Sequence, residues 1–169
     1  MFSLQKAVVC NAPRFPNFSL GMPKFTALVR GGEDPEALER TLASLKSASD
    51  ILVLHDGKTA VEKIAHRHGA RTRNRIPGVT LGAYAMEGFH PWTLVVKAGD
   101  EVSPESDLAL QDWRKVKQDD NEFYCLQKDT PHPLVLVNRA RVNWIGEDPP
   151  VPEDAPTQLP SIVSERRAA

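Results

Sequence analysis

VVKAGDEVSPES, residues 95–106, decides how the rest of the chain is read. Val95 and Val96 close an apolar run that begins at Trp92, the pattern of a strand buried on both faces. Lys97, Ala98 and Gly99 stop that run, and Asp100 and Glu101 follow. Ser103 then reads as a helix N-cap with Pro104 at the first helical position. A buried strand that passes through a small-residue turn straight into a helix predicts a mostly parallel α/β sheet. In such sheets ligands bind outside the carboxyl ends of the strands, which is where Asp100 and Glu101 stand.

The same grammar extends upstream. FTALVR (25–30) reads as a short apolar strand, and Gly31-Gly32 as the turn after it. Asp34 is an N-cap with Pro35 at the first helical position, and Leu38, Leu42 and Leu45 share one helix face. ILVL (51–54) is a second buried strand, ending at His55-Asp56-Gly57. Thr59 and Glu62 have the spacing of a capping box for a helix that Gly69 closes. ARTRN (70–74) reads as a third strand, and a short helix follows with Leu81, Tyr84 and Ala85 inward. Downstream, Leu110 and Trp113 mark the inner face of the helix begun at Pro104. EFYCLQ and PLVLVNR then read as two strands joined by KDTPHP.

Composition sets the outer limits. The chain has 169 residues, enough for one domain with a real core. With 41% hydrophobic and 25% charged residues it has the balance of a globular protein. A formal net charge of -1 gives no general pull toward nucleic acid or anionic membrane. No apolar run is long enough to span a bilayer. Cys10 and Cys125 are solitary, which fits a reducing cytoplasm. Residues 1–24 and 149–169 are Pro-containing and lack a sustained period. They are expected to be extended or disordered around a domain at 25–148. Met22 stands just before the first strand and is a second candidate start.

The strand ends carry the candidate chemistry. Asp100 and Glu101 offer hard carboxylate oxygens for Mg²⁺ or Mn²⁺, or are solvated acids favourable near a helix N-terminus. Asp56 is a ligand acceptor or a turn residue before Gly57. Arg30, Arg71, Arg73 and Arg75 cluster around the expected crevice, as diphosphate-binding forks or as a charged sheet edge. His66 and His68 are two apart and share no helix face, which excludes the usual zinc spacing. No Ser-His-Asp order, P-loop or dinucleotide fingerprint is present.

In order, EDPEALERTLASL, SDILVLHDGKTAVEKIAHRHGARTR and GVTLGAYAMEGFHPWTLVVKAGDEVSPE resemble the nucleotide-sugar-binding half of family 2 glycosyltransferases. The resemblance runs from Phe25 to about Leu110. It implies a GT-A-like, three-layer α/β/α sandwich that transfers a sugar from a nucleoside diphosphate sugar to an acceptor. It also implies roles: Asp56 for the base, Arg30 or Arg73 for phosphate, and Asp100 with Glu101 for a divalent metal. The departures are specific. His55 and Lys58 replace a family acid and Ser, and Ala98 falls at the first acid of the metal-binding Asp-x-Asp. The helix Asn becomes Tyr84 or Met86. Gly146-Glu147-Asp148 is similar to the family's acidic base motif, but it runs into prolines and is read as coincidence. No catalytic residue is assigned. The alternative is a catalytically inactive binding module, or one half of a homo-oligomer that supplies the missing acceptor surface. A flavodoxin-like response module has only Lys97 in its favour.

Overall fold

The computed structural model describes residues 22–31, 34–117 and 119–161. Expectations that fall on residues 1–21, Cys10 among them, and on residues 162–169 lie outside the described residues.

Ten elements follow one another: β1 (Phe25–Arg30), α1 (Pro35–Ser44), β2 (Asp50–His55), α2 (Thr59–Arg67), β3 (Arg71–Asn74), α3 (Leu81–Ala85), β4 (Trp92–Lys97), α4 (Pro104–Trp113), β5 (Phe123–Leu126) and β6 (Leu134–Asn138). The strands form one sheet in the order β3-β2-β1-β4-β6-β5. The first four are parallel, while β6 runs antiparallel to β4 and to β5. The chain is therefore an α/β protein with a mostly parallel mixed sheet. After β3 it crosses over β2 and β1 to place β4 on the far side, so the order reverses between β1 and β4.

Side-chain alternation along β1 divides the core in two. Phe25, Ala27 and Val29 face α1, α2 and α4, where they meet Leu38, Leu42, Val61, Ile64, Leu110 and Trp113. Leu28 faces the other way and packs with Leu52, Leu54, Leu81, Tyr84, Val95 and Trp144. Three helices thus cover one face. The short α3 and the segment around Trp144 cover the other. The caps of α1 and α4 are those the sequence predicts. The Asp34 side chain accepts from the Glu36 amide at 2.9 Å, and Ser103 Oγ from the Ser106 amide at 3.1 Å.

Two expectations change. The Thr59–Glu62 capping box does not form, because Lys58 is the N-cap of α2 and makes no side-chain capping bond. Glu62 instead lies 3.5 Å from Nε2 of the buried His55. The described part of the Pro-rich tail has no helix or strand, and it packs. Ala155 is buried with Phe123 and Val137, and the Cys125 amide donates to the Pro156 carbonyl at 2.9 Å. Through that bond the tail takes up a donor on the outer edge of β5, one way of blunting an exposed strand edge.

At the amino end of the sheet one carboxylate ties four segments together. Asp50, on β2, accepts from Thr26 Oγ1 at 3.0 Å, from Arg71 at 3.0 and 2.6 Å, and from the Phe89 amide at 3.4 Å. Arg71 also lies over the Phe89 ring at 3.8 Å. Burial pushes the Asp50 pKa up, but the hydrogen bonds from Arg71 and Thr26 outweigh it and the net shift is downward. A depressed folded-state pKa gives stability that is present above the unfolded value, about 3.9, and lost as pH falls through the folded one. Asp50→Asn is expected to cost roughly 2–3 kcal/mol near neutral pH. Chemical denaturation of both proteins from pH 7 to pH 2 should show that gap shrinking below about pH 4. A gap constant across that range would remove the ion pair as its cause.

Candidate functional site

The carboxyl ends of the four parallel strands lie side by side. The Gly31 amide donates to the Leu54 carbonyl at 2.7 Å, the Arg75 amide to the His55 carbonyl at 2.7 Å, and the Ala98 amide to the Arg30 carbonyl at 2.9 Å. A Cβ at Gly31 would fall 2.3 Å from the Leu54 carbonyl oxygen, so the exit of β1 needs glycine at this close approach.

Side-chain alternation separates the predicted residues. Arg30 shares the face of Leu28, and Lys97 the face of Val95, so both stand on the α3 side of the sheet. Arg73 pairs in register with Leu54 and stands on that side too. Arg30 and Lys97 are register partners on adjacent strands. The turn after β4 leans the other way, onto α1. Thr41 Oγ1 accepts from the Gly99 amide at 2.9 Å and donates to the Asp100 carbonyl at 2.8 Å. Ser44 Oγ accepts from the Val102 amide at 3.0 Å. Glu101 lies 3.5 Å from Arg40 and lines a shallow groove of about 570 Å³ between α1 and α4. The structure therefore brings Arg30, Arg73 and Lys97 onto one face and draws Glu101 to the opposite one.

Asp56 is exposed on the turn after β2. Its neighbour His55 is buried and sets that turn, because His55 Nδ1 accepts from the Gly57 amide at 3.1 Å. An accepting Nδ1 means that the neutral ring carries its proton on Nε2, toward Glu62.

The arginines are largely engaged. Arg71 belongs to the Asp50 cluster at the start of β3, so it is not part of the crevice at the strand ends. Arg73 pairs with Glu87, which raises its pKa through that hydrogen bond. Arg75 bonds Glu147 at 3.0 Å. Among the described residues Arg30 has a loose ion contact, Nη1 to Asp148 Oδ1 at 4.0 Å, and its Nε–H is buried without a hydrogen-bond partner.

The acids on Arg75 and Arg30 belong to Gly146-Glu147-Asp148, the tripeptide the sequence reading sets aside. It returns to the strand ends because its backbone is pinned to α3. The Gly82 amide donates to the Gly146 carbonyl at 2.9 Å, and Thr80 Oγ1 to the Ile145 carbonyl at 2.7 Å. The signal in the sequence was the motif itself. What concealed it was the proline run that follows, which reads as a segment leaving the domain.

Among the described residues no group of three His, Cys, Asp or Glu side chains converges. With Glu101 held toward Arg40, Asp100 is the remaining carboxylate of the predicted pair. These residues do not by themselves fit a resident ion. No protein-family model matches the chain, and no curated protein matches it in sequence. No helix among the described residues is long and apolar enough to cross a membrane.

Gly82 controls the position of the returning acids. A Cβ there would lie 2.5 Å from the Trp144 carbonyl oxygen. Gly82→Ala is expected to destabilise the fold by about 1–3 kcal/mol. Amide exchange at residues 82 and 144–148 should rise more than at β1. Unchanged exchange there would show that the turn is not held by this contact.

Proposed function

We propose that the chain is a GT-A-like domain that binds a nucleoside diphosphate, or its sugar, at the carboxyl ends of β1, β2 and β4. The resemblance to family 2 glycosyltransferases implies that sugar is transferred to an acceptor where the domain is active. The observation that carries the reading is the reversal of strand order between β1 and β4. It puts the ends bearing Arg30 and Lys97 at the position where open α/β sheets bind ligands, with the Asp56 turn one strand away. In this reading Asp56 accepts from the base and Arg30 meets phosphate, with Arg73 beside it once freed from Glu87. The solitary cysteines keep the reducing cytoplasm as part of the proposal.

A second reading, a binding module with little or no turnover, is favoured by the same geometry. Ala98 removes one acid of the metal motif, and Glu101 is drawn to Arg40. Lys97 is a cation close to the remaining Asp100 and opposes M²⁺ by repulsion. The placement of Glu147 and Asp148 at the strand ends, where the family motif supplies a base, favours turnover.

Calorimetry with a panel of nucleoside diphosphates and their sugars, with Mn²⁺ or a chelator, separates these readings. Metal alone is expected to bind weakly, because the phosphate oxygens must supply most of its ligands. Mn²⁺ and nucleotide should then tighten each other by the same factor. Asp56→Ala should weaken nucleotide, and Asp100→Asn should abolish the metal dependence. If no nucleotide binds under any condition, the nucleotide-sugar reading fails. Release of free sugar from a bound donor would establish turnover, and its absence would leave the binding module.

A further inference from the structure

Arg30 and Lys97 are register partners on β1 and β4, on the same side of the sheet, with their strand backbones about 5 Å apart. Like charges directly opposite on neighbouring strands are destabilising unless an anion lies between them. Neither Arg71 nor Arg73 has this problem, since each has a close carboxylate. Arg30 does not. Its nearest carboxylate is Asp148 at 4.0 Å, which is too far for a hydrogen bond and is 85% exposed. Its Nε–H is buried and unpartnered, a donor left unmade in a group that offers five.

The acids that do approach come from one turn. Glu147 and Asp148 are consecutive and reach two cations, Arg75 and Arg30, which follow from different strands of the same sheet. The turn is anchored through its backbone at Ile145 and Gly146. Its two carboxylates are held only by these exposed or half-exposed ion pairs, which contribute little net stability and are easily exchanged.

We propose that Arg30 and Lys97, flanked by Arg75, form an oxyanion seat that the carboxylates of Glu147 and Asp148 screen in the ligand-free protein. The ligand class is a phosphorylated compound, and a diphosphate fits best. Its several oxygens can bridge two cations and engage the guanidinium fork bidentately, which a single distant carboxylate does not do. Binding exchanges the loose contact to Asp148 for direct bonds and moves the 147–148 side chains away. This deepens the nucleotide reading by naming its phosphate subsite, but the seat does not need the nucleoside.

The test uses inorganic pyrophosphate on the full chain at low salt. Binding is followed by calorimetry and by the Nε–H resonances of the arginine side chains. The wild type is expected to bind weakly, with the Arg30 resonance shifting. The double variant Glu147→Gln, Asp148→Asn should bind about three- to tenfold more tightly, because the competing charges are gone. Arg30→Gln and Lys97→Gln should each weaken binding by about tenfold. Lys63→Gln, on the outer face of α2, controls for the general field and should change nothing. Equal affinity in the wild type and the double variant overturns the screening role. Equal losses in Lys63→Gln and Lys97→Gln, or no binding by any form, overturn the seat. A nucleoside diphosphate that binds no better than pyrophosphate leaves the seat intact and counts against the nucleotide reading alone.

Discussion

Everything here is arranged around the enclosure of β1. Its backbone is bonded to β2 on one side and β4 on the other, in parallel register with both. Its side chains are buried on both faces from Phe25 to Val29. A strand parallel to both neighbours cannot be joined to either by a hairpin, so the chain must reach each of them through a crossover. Parallel neighbours on both sides also require the chain to pass over β1 once, between β3 and β4. That single passage creates the switch point and determines which strand ends meet. Arg30 and Lys97 become neighbours because β1 and β4 do, although 66 residues of sequence lie between them.

The enclosure was legible in the sequence because it is a property of composition. FTALVR, ILVL and WTLVVK carry apolar residues on both faces, the pattern of strands in a parallel sheet covered on both sides. The caps at Asp34 and Ser103 were legible for an equally local reason, since a side chain two or three residues from an amide needs no knowledge of the fold. What could not be read was contact between distant segments. Thr59 and Glu62 have capping-box spacing, but Glu62 finds the buried His55 at 3.5 Å, and a partner delivered by tertiary structure overrides a local motif. The Pro-rich tail lacks a period and so gives no sign of burial, yet Ala155 fills a gap against Phe123 and Val137. The sequence places Arg30, Arg71, Arg73 and Arg75 together around the expected crevice. Alternation does place Arg71 and Arg73 on one side, but they spread along β3 from the Asp50 cluster toward the strand ends, and Arg75 lies just beyond the strand.

The turn KAGDE is held in place by its backbone and not by its side chains. Thr41 and Ser44 hold its backbone against α1 through Gly99, Asp100 and Val102. None of these bonds depends on the identity of the side chains at positions 98, 100 or 101. The scaffold therefore tolerates Ala98 without losing the turn. The same tether inclines the turn toward α1, where Arg40 is waiting for Glu101. The backbone tether of the turn and the approach of Glu101 to Arg40 have one cause, the packing of the turn against α1.

Charge on the α3 face follows a different logic. Stability alone would pair each arginine with a close carboxylate, as Asp50 and Glu87 do for Arg71 and Arg73. The pairing becomes poorer toward the switch point, where Arg30 keeps a buried Nε–H unmade and faces a second cation. Replacing either cation by a neutral residue would relieve the repulsion at no evident cost to the core, since Lys97 is exposed and Arg30 is half-buried. Other buried polar atoms also lack a hydrogen-bond partner, Thr93 Oγ1 and Trp144 Nε1 among them, but Arg30 Nε is the one on a side chain that faces a second cation across the switch point. The poor pairing of Arg30 coincides with the reversal of strand order between β1 and β4, where the proposed site lies. Two independent lines, one topological and one electrostatic, therefore meet at the same pair of residues.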